Sequence, residues 1–338
     1  MISRRTLGSA LPLLMAMPLF SGRAQQLTLD ITHPFSASSA WNTPIDPAHI
    51  TYTDPTRIEN RQFRDRGMAN TWLTQLDGLI SITPPDIPMT LWNFDPGKRA
   101  VYSTVVRAPL KLWRYATLND GGVFSTGGEI LLPTPPILTQ PDGELSIFTD
   151  LDGIHFWEAW NTEVQADGSF HVGYLCRVDL NGTGWGDPVT MAGVGVRAAG
   201  ASLLGGLIPA AELAGVPLIE HALPIELDVG QLKAGTVQTD QFVPPAVSCD
   251  GDSLTTYTGT IPMGARFALP PDLGLPPDLT PEGLALAKAY QKYGGYIVDA
   301  AGFTCSLAMV TNISEAQFNR MYGDVFWLRD NLVMTLPR

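Results

Sequence analysis

The chain has 338 residues and a formal net charge of −12 at pH 7, with 45% hydrophobic and only 16% charged residues. A chain this acidic is repelled by phosphate backbones, so nucleic acid is not expected as a partner. The apolar content is typical of a globular core and excludes an intrinsically disordered chain.

The first 24 residues have the order of a secretory signal peptide. Arg4 and Arg5 precede an uncharged apolar run over 7–20, and small residues follow it at 21–24. The arginine pair resembles the twin-arginine export signal, with an ordinary secretion signal as the alternative. Because the run is shorter than the roughly 20 residues of a membrane-spanning helix, no membrane span is expected. We therefore expect residues 25–338 to work in the periplasm or outside the cell.

Glycine and proline, 33 and 28 residues, recur throughout the remaining chain and divide it into short β-like segments. This pattern predicts a mainly β fold, which we assign as one jelly-roll-like β-sandwich domain with a few short helices. An irregular N-terminal arm is expected over 25–55. The predicted strands include 102–108, 147–149, 154–160, 170–178, 222–227 and 264–268.

A helix start is signalled by Thr280 and Pro281, since threonine caps free N–H groups and proline suits the first turn. This helix is predicted to end near Tyr293, before the glycines at 294–295. Shorter helices are predicted over 209–214 and within 57–76.

The chain has three cysteines, so at least one thiol stays free in an exported protein. Cys176 lies in an apolar run and is the predicted free thiol, whereas a bridge between Cys249 and Cys305 is left open. No two cysteines have the short spacing of a thiolate zinc site.

Several motifs resemble those of a widespread family of secreted bacterial proteins. The resemblance implies an exported protein with a jelly-roll-like β body, and it implies no particular reaction. One departure is the stretch 150–160, DLDGIHFWEAW, where the family has an aspartate-rich strand before a yElW motif. The matching stretches are PF at 34–35, SAWNTPI at 39–45, VGVRAAGASLLGGLI at 194–208, Glu212 with IEHAL at 219–223, PMGARF at 262–267 and AYQKYGGYIVD at 289–299.

A weaker resemblance connects the chain to polysaccharide lyases of the alginate-lyase type. The stretch GIH at 153–155 is similar to a Q-I-H strand of those lyases, and YQKYGGY at 290–296 is similar to their Y-x-K-x-G-x-Y strand. The second stretch overlaps a predicted helix here, whereas the lyase motif lies on a strand.

The predicted strand 154–160 carries the first candidate site. Alternation places Phe156, Glu158 and Trp160 on one face and His155 on the other. A carboxylate between two aromatic rings resembles a sugar subsite, with Glu158 as the catalytic group and both rings as binding groups. The alternative is that Phe156 packs in the core and Glu158 is solvated.

A glycosidase needs a second carboxylate within about 10 Å. Asp152 would lie roughly 20 Å from Glu158 along a straight strand, so the partner must come from another strand. The candidates are Asp187, Asp250, Asp252 and Asp299.

A lyase instead needs a base and a cation that neutralises a uronate carboxylate. Arg197 stands alone among small apolar residues, where a charge requires a partner or a ligand. Its structural alternative is an ion pair with Glu212 or Glu220. The candidate bases are His155, His221, Tyr293 and Tyr296, of which the tyrosines are also candidate sugar-binding residues, and His221 has the alternative of a buried core histidine.

No cofactor is predicted. His155, His171 and His221 lack the short spacing of a zinc or copper site, and the chain has no nucleophile-elbow or nucleotide-binding motif. The favoured prediction is a secreted enzyme that degrades a polysaccharide, by elimination or by hydrolysis, in an open groove. The alternatives are a non-catalytic carbohydrate-binding or envelope protein and a metal-dependent oxidoreductase.

Overall fold

A computed structural model describes the backbone of residues 33–65, 71–76, 89–95, 98–104, 112–120, 123–131, 137–138, 146–149, 154–164, 170–215, 218–301, 305–311 and 315–338. The predicted signal peptide, residues 1–24, lies outside the described residues. So do residues 150–153, with Asp152 and the first residue of the GIH stretch.

The described chain is mainly β, as predicted, and its strands form three sheets. The predicted strands near 102, 147, 154, 170, 222 and 264 are all present, with shifted ends. In chain order the strands are β1 Ile50–Tyr52, β2 Thr71–Leu76, β3 Met89–Asp95, β4 Lys98–Thr104, β5 Leu112–Asp120, β6 Val123–Leu131, β7 Ile137–Leu138, β8 Ser146–Thr149, β9 His155–Val164, β10 Phe170–Asp179, β11 Leu223–Leu227, β12 Arg266–Ala268, β13 Gly295–Ala300, β14 Cys305–Thr311 and β15 Val333–Pro337.

Both large sheets are mixed. The seven-stranded sheet has the order β1-β15-β12-β13-β11-β14-β2, and the six-stranded sheet has the order β6-β5-β10-β9-β8-β7. Parallel pairs are β11 with β13 and β14 with β2 in the first sheet, and β10 with β5 in the second. Strands β3 and β4 form a separate antiparallel hairpin.

The helices are α1 Ile58–Asp65, α2 Ala210–Leu213, α3 Ser253–Thr256, α4 Pro281–Lys292 and α5 Glu315–Asn331. Helix α4 confirms its start signal, because Thr280 Oγ1 accepts a hydrogen bond from Gly283 N–H at 3.1 Å. The helix predicted within 57–76 is α1, which ends at Asp65, whereas Thr71–Leu76 is a strand, which its β-branched and aromatic residues favour. Helix α5 was not predicted, since Gly323 and several asparagine and aspartate residues weaken its helical pattern.

The N-terminal residues 33–49 form no helix or strand, and buried residues among them anchor the segment to the core. Trp41 is completely buried and stacks on Trp185, with 4.7 Å between ring centroids. Ala222 N–H donates to Trp41 O at 2.7 Å, and Ser39 Oγ donates to Thr183 O at 2.5 Å. This segment therefore connects to residues beside both large sheets.

Residues 193–203, here called the bridging loop, connect the two large sheets. Asn119 of β5 donates to Gly193 O at one end of the loop. On the other side, Ala199 N–H donates to Val298 O of β13 at 3.0 Å. The loop reverses direction at Gly200, whose φ of 76° favours glycine. The candidate site is built around this loop.

Candidate active site

Glu158 lies on β9 where the six-stranded sheet meets the bridging loop. Its side chain is completely buried and accepts three hydrogen bonds from the loop. Ser202 Oγ and Leu203 N–H donate to Oε1 at 2.5 and 2.7 Å, and Val196 N–H donates to Oε2 at 3.2 Å. Burial raises the pKa of Glu158 to about 7, although the hydrogen bonds act to lower it. Glu158 is thus a buried proton-binding group that holds the loop, and not a solvated side chain.

Arg197 forms the predicted structural ion pair, and its partner is Glu226 of β11. Arg197 Nη1 lies 3.2 Å from Glu226 Oε1, and the two side chains are 1% and 8% exposed. Arg197 Nε also donates to Ser202 O at 3.3 Å. Because its guanidinium is buried among protein partners, Arg197 stabilises the loop and does not present a charge to a uronate.

Two further carboxyl groups lie on the seven-stranded-sheet side of the loop. Asp299 of β13 accepts a hydrogen bond from Ala198 N–H at 3.4 Å. Asp250, in the segment before α3, accepts a hydrogen bond from the buried Tyr257 hydroxyl. Ser248 Oγ donates to Ala198 O at 2.7 Å, so the same loop residue contacts both segments. Both aspartates are partly exposed as whole residues.

The charge of Asp250 affects the protonation of Asp299. Burial raises the pKa of Asp299 well above its ordinary value, and the negative charges of Asp250 and Glu226 raise it further, against a smaller effect of Arg197. Burial also raises the pKa of Asp250, but the hydrogen bond from Tyr257 opposes that shift. Neighbouring groups in unequal environments are typical of an acid and base pair. Both carboxyl groups therefore hold a proton more tightly than an ordinary aspartate does.

His221 lies outside this cluster, in a buried pair of its own. Its Nε2 atom is 3.2 Å from Glu212 Oε2, and the two side chains are 2% and 1% exposed. This corresponds to the core-histidine alternative. Glu220 instead contacts Lys292 at the surface, at 3.2 Å, so neither of the two predicted glutamates is the partner of Arg197.

His155 is also separated from Glu158. Strand β9 pairs with β10 in an unbroken antiparallel register, in which His155 faces Asp179 and Glu158 faces Cys176. The odd spacing of His155 and Glu158 puts them on opposite faces of the sheet, as predicted for a regular strand. The His155 side chain is only partly buried, so it does not lie in the core.

The two aromatic neighbours of Glu158 have different environments. Phe156 is completely buried and packs on Phe35, with 6.4 Å between ring centroids. Trp160, by contrast, is 48% exposed. The core alternative therefore holds for Phe156, and only Trp160 presents a ring that a sugar can reach.

Tyr293 and Tyr296 belong to the core. They are 5% and 6% exposed. The edge of the Tyr296 ring contacts Trp41 and Trp185, with centroid distances of 5.9 and 5.4 Å. Neither tyrosine joins the cluster of carboxyl groups, so the base and sugar-binding roles predicted for them have no support in this arrangement.

Cys176 and Cys249 both carry free thiols. Cys176 is buried beside Glu158 in the sheet, and burial raises the pKa of its thiol well above the ordinary value. Cys249 carries a free thiol 3.2 Å from Ser253 Oγ, so the bridge to Cys305 is not formed. Among the described residues, no group of three or more histidine, cysteine, aspartate or glutamate side chains is placed to hold a metal ion.

From the sequence, two residues of the cluster around the bridging loop were named only as candidates among others, and two further residues were not named. Asp250 and Asp299 were candidate partners of Glu158 among four aspartates. Glu226 and Tyr257 were not named, because each lies in a segment that reads as ordinary strand or turn. The available signal was Asp299 directly after the apolar run 296–298, opposite Glu226 in the parallel pair of β11 and β13.

Comparison of the chain with protein-family models, curated proteins and solved structures gives no match in any of the three. Within the part of the chain that the structure describes, no helix is long and apolar enough to cross a membrane.

Proposed function

We propose that the protein is an exported enzyme that hydrolyses glycosidic bonds of a polysaccharide, with Asp299 as general acid and Asp250 as the second carboxylate. The supporting observation is that Asp299 and the segment of Asp250 both contact Ala198 of the bridging loop, and that the charge of Asp250 raises the pKa of Asp299. Glycosidases use such a pair, with one member protonated and the other ionised.

The proposed reaction needs no group other than these carboxyls and water. Asp299 donates its proton to the glycosidic oxygen as the bond from that oxygen to the anomeric carbon breaks. Asp250 takes a proton from a water molecule, whose oxygen forms the new bond to the anomeric carbon. Tyr257, which donates a hydrogen bond to Asp250, would hold that carboxylate in position. Glu158 and Arg197 position the bridging loop on which Asp299 depends.

Hydrolysis is favoured over elimination because the residues of the lyase hypothesis do not meet. Arg197 is occupied by Glu226, and His221 by Glu212. Tyr293 and Tyr296 are buried in the core. A lyase requires a base that removes the proton next to a uronate carboxylate and a cation that neutralises this carboxylate. The cluster contains carboxyl groups instead.

Export and the finer fold assignment are parts of the proposal. Export is supported by the signal-like residues 1–24 and the resemblance to secreted proteins. N-terminal sequencing of the protein recovered from periplasm and medium tests it. The jelly-roll-like connection of the strands stays a prediction. The parallel pairs in both large sheets count against it, because the strands of a jelly roll are antiparallel. An experimental structure of the mature chain tests it.

The reaction is tested by incubating the mature protein with neutral and uronate polysaccharides. New reducing ends and absorbance near 235 nm, which marks unsaturated uronates, are followed together. The proposal predicts reducing ends without the absorbance. Reducing ends with the absorbance would show a lyase. The absence of both signals, with the protein folded, would favour the carbohydrate-binding alternative.

A further inference from the structure

A row of side chains crosses the six-stranded sheet next to the row that contains Glu158. Trp160 of β9 faces Tyr174 of β10, Tyr174 faces Thr117 of β5, and Thr117 faces Thr126 of β6. Directly paired residues point to the same side of a sheet, so all four lie on the face that meets the bridging loop. With strands about 4.8 Å apart, the row is about 14 Å long. We call these four residues the aromatic–hydroxyl row.

This row is open although the same face is buried on both sides of it. Towards the loop, Glu158 and Cys176 are both 0% exposed. In the other direction, Val172 is only 5% exposed. Between these buried positions Trp160 is 48% exposed, and Tyr174 is partly exposed. Trp160 and Tyr174 therefore form an open strip across β9 and β10, between buried positions of the same two strands.

The row is physically continuous with the proposed active site. Asn119 of β5 donates one hydrogen bond to the Tyr174 hydroxyl at 3.2 Å and another to Gly193 O in the bridging loop. Gly193 in turn lies close to Gly200, which is further along the loop. A Cβ atom added to Gly193 would lie 2.9 Å from Gly200 Cα. Two glycines without side chains thus lie between the row and the segment that carries Asp250.

We infer that the aromatic–hydroxyl row binds a neutral polysaccharide chain laid across the strands and leading to Asp299 and Asp250. This inference rests on the proposed function and adds the substrate class and its binding groove. An exposed tryptophan and a partly exposed tyrosine offer apolar ring faces for sugar rings, and the two threonine hydroxyls offer hydrogen bonds to sugar hydroxyl groups.

The charges near the row favour a neutral chain over a uronate. The adjoining cluster contains four carboxyl groups, but burial favours the neutral form of Glu158 and Asp299, so the repulsion of an anionic ligand comes mainly from the charge of the whole chain. Its cation, Arg197, is buried and paired with Glu226, and the whole chain has a net charge of −12. A polyanion would be repelled by this field, whereas a neutral glycan is unaffected by it.

Binding is measured by affinity electrophoresis in native gels that contain hydroxyethyl cellulose, glucomannan or polygalacturonate. Asp299→Asn serves as the background, so that the polymer is not degraded during the run. At least one neutral polymer is expected to retard this protein, and polygalacturonate is not. Trp160→Ala should weaken the retardation at least about fivefold, and Trp160→Phe should retain most of it.

The matched control is Trp157→Ala, which removes a tryptophan from the same strand on the opposite face. It should leave the retardation unchanged, and thermal unfolding checks that both alanine variants are folded. Retardation that is equal in Trp160→Ala and Trp157→Ala, or that occurs only with polygalacturonate or with no polymer, would overturn the inference. Hydrolysis without Trp160-dependent retardation would leave the proposed function standing. Trp160-dependent retardation by a protein that hydrolyses none of the polymers would support the groove and count against the enzyme.

Discussion

Glu158 of β9 accepts a hydrogen bond from Ser202 Oγ at 2.5 Å, which ties the six-stranded sheet to the bridging loop. A carboxyl group inside the protein is costly to ionise, and here it is surrounded by loop donors. The geometry of the proposed active site thus depends on a buried acid that does not itself reach the solvent.

The first prediction concerns the effect of pH on stability. Burial raises the pKa of Glu158 from 4.5 to about 7. Between those values the folded state binds more protons than the unfolded state, so the free energy of unfolding falls as pH rises. The full effect is about 3 kcal/mol. Asp250 and Asp299 act in the same direction because their pKa values are raised too.

Urea unfolding at pH 5 and pH 7.5 measures this effect in the wild type and in Glu158→Gln. The variant is expected to lose a large part of the pH dependence, since glutamine does not ionise. Glu220→Gln, which changes a half-exposed carboxyl, serves as control and should behave like the wild type. An unchanged pH dependence in Glu158→Gln would show that Glu158 titrates at an ordinary pKa.

The second prediction concerns the ion pair of Arg197 and Glu226. Arg197→Met leaves the Glu226 carboxyl buried without its counter-ion and should lower the free energy of unfolding by about 3–5 kcal/mol. Arg197→Met combined with Glu226→Leu should recover part of that loss, because no charge then remains buried. Arg57→Met breaks a more accessible pair with Glu59, whose side chains are 41% and 13% exposed, and should cost less than about 1 kcal/mol. Urea unfolding measures these free energies. Equal losses in Arg197→Met and Arg57→Met would refute a buried ion pair of Arg197 and Glu226.

The third prediction concerns the turn of the bridging loop. Gly200 has a φ of +76°, and a Cβ there would lie 2.7 Å from Val247 Cγ2 and 2.9 Å from Gly193 Cα. Gly200→Ala should therefore destabilise the protein by about 1–3 kcal/mol and reduce activity. A Cβ on Gly251 meets nothing within 4 Å, so Gly251→Ala is the control. A Gly200→Ala protein with wild-type unfolding temperature and activity would show that the loop tolerates another path.

Local patterns in the sequence predicted local structure well. The alternation of residues 154–160 gave the faces of β9, and the threonine and proline at 280–281 gave the start of α4. Both depend on neighbours within one element. The isolated charge of Arg197 likewise indicated a partner, but its identity depends on the placement of β11, which lies about thirty residues further along the chain.

The cluster itself could not be read from spacing. Glu226 faces Asp299 through the parallel pairing of β11 with β13, and the segment of Asp250 approaches them through Ser248 and the bridging loop. Parallel strands are joined by long crossovers, so their register is not encoded in short-range pattern. Residue type was equally ambiguous for His221, Tyr293 and Tyr296, which resemble site residues in the sequence but lie in the core.

The central claim is that Asp299 supplies the proton for glycoside hydrolysis. The most direct test is the rate of reducing-end release by Asp299→Asn against wild type and Asp252→Asn, which changes an exposed neighbouring aspartate. Because asparagine still accepts the Ala198 hydrogen bond but carries no acidic proton, the account predicts a fall of about 10²–10⁴-fold in kcat with the unfolding temperature preserved. Asp252→Asn should retain activity. Release by folded Asp299→Asn at the wild-type rate would contradict the account.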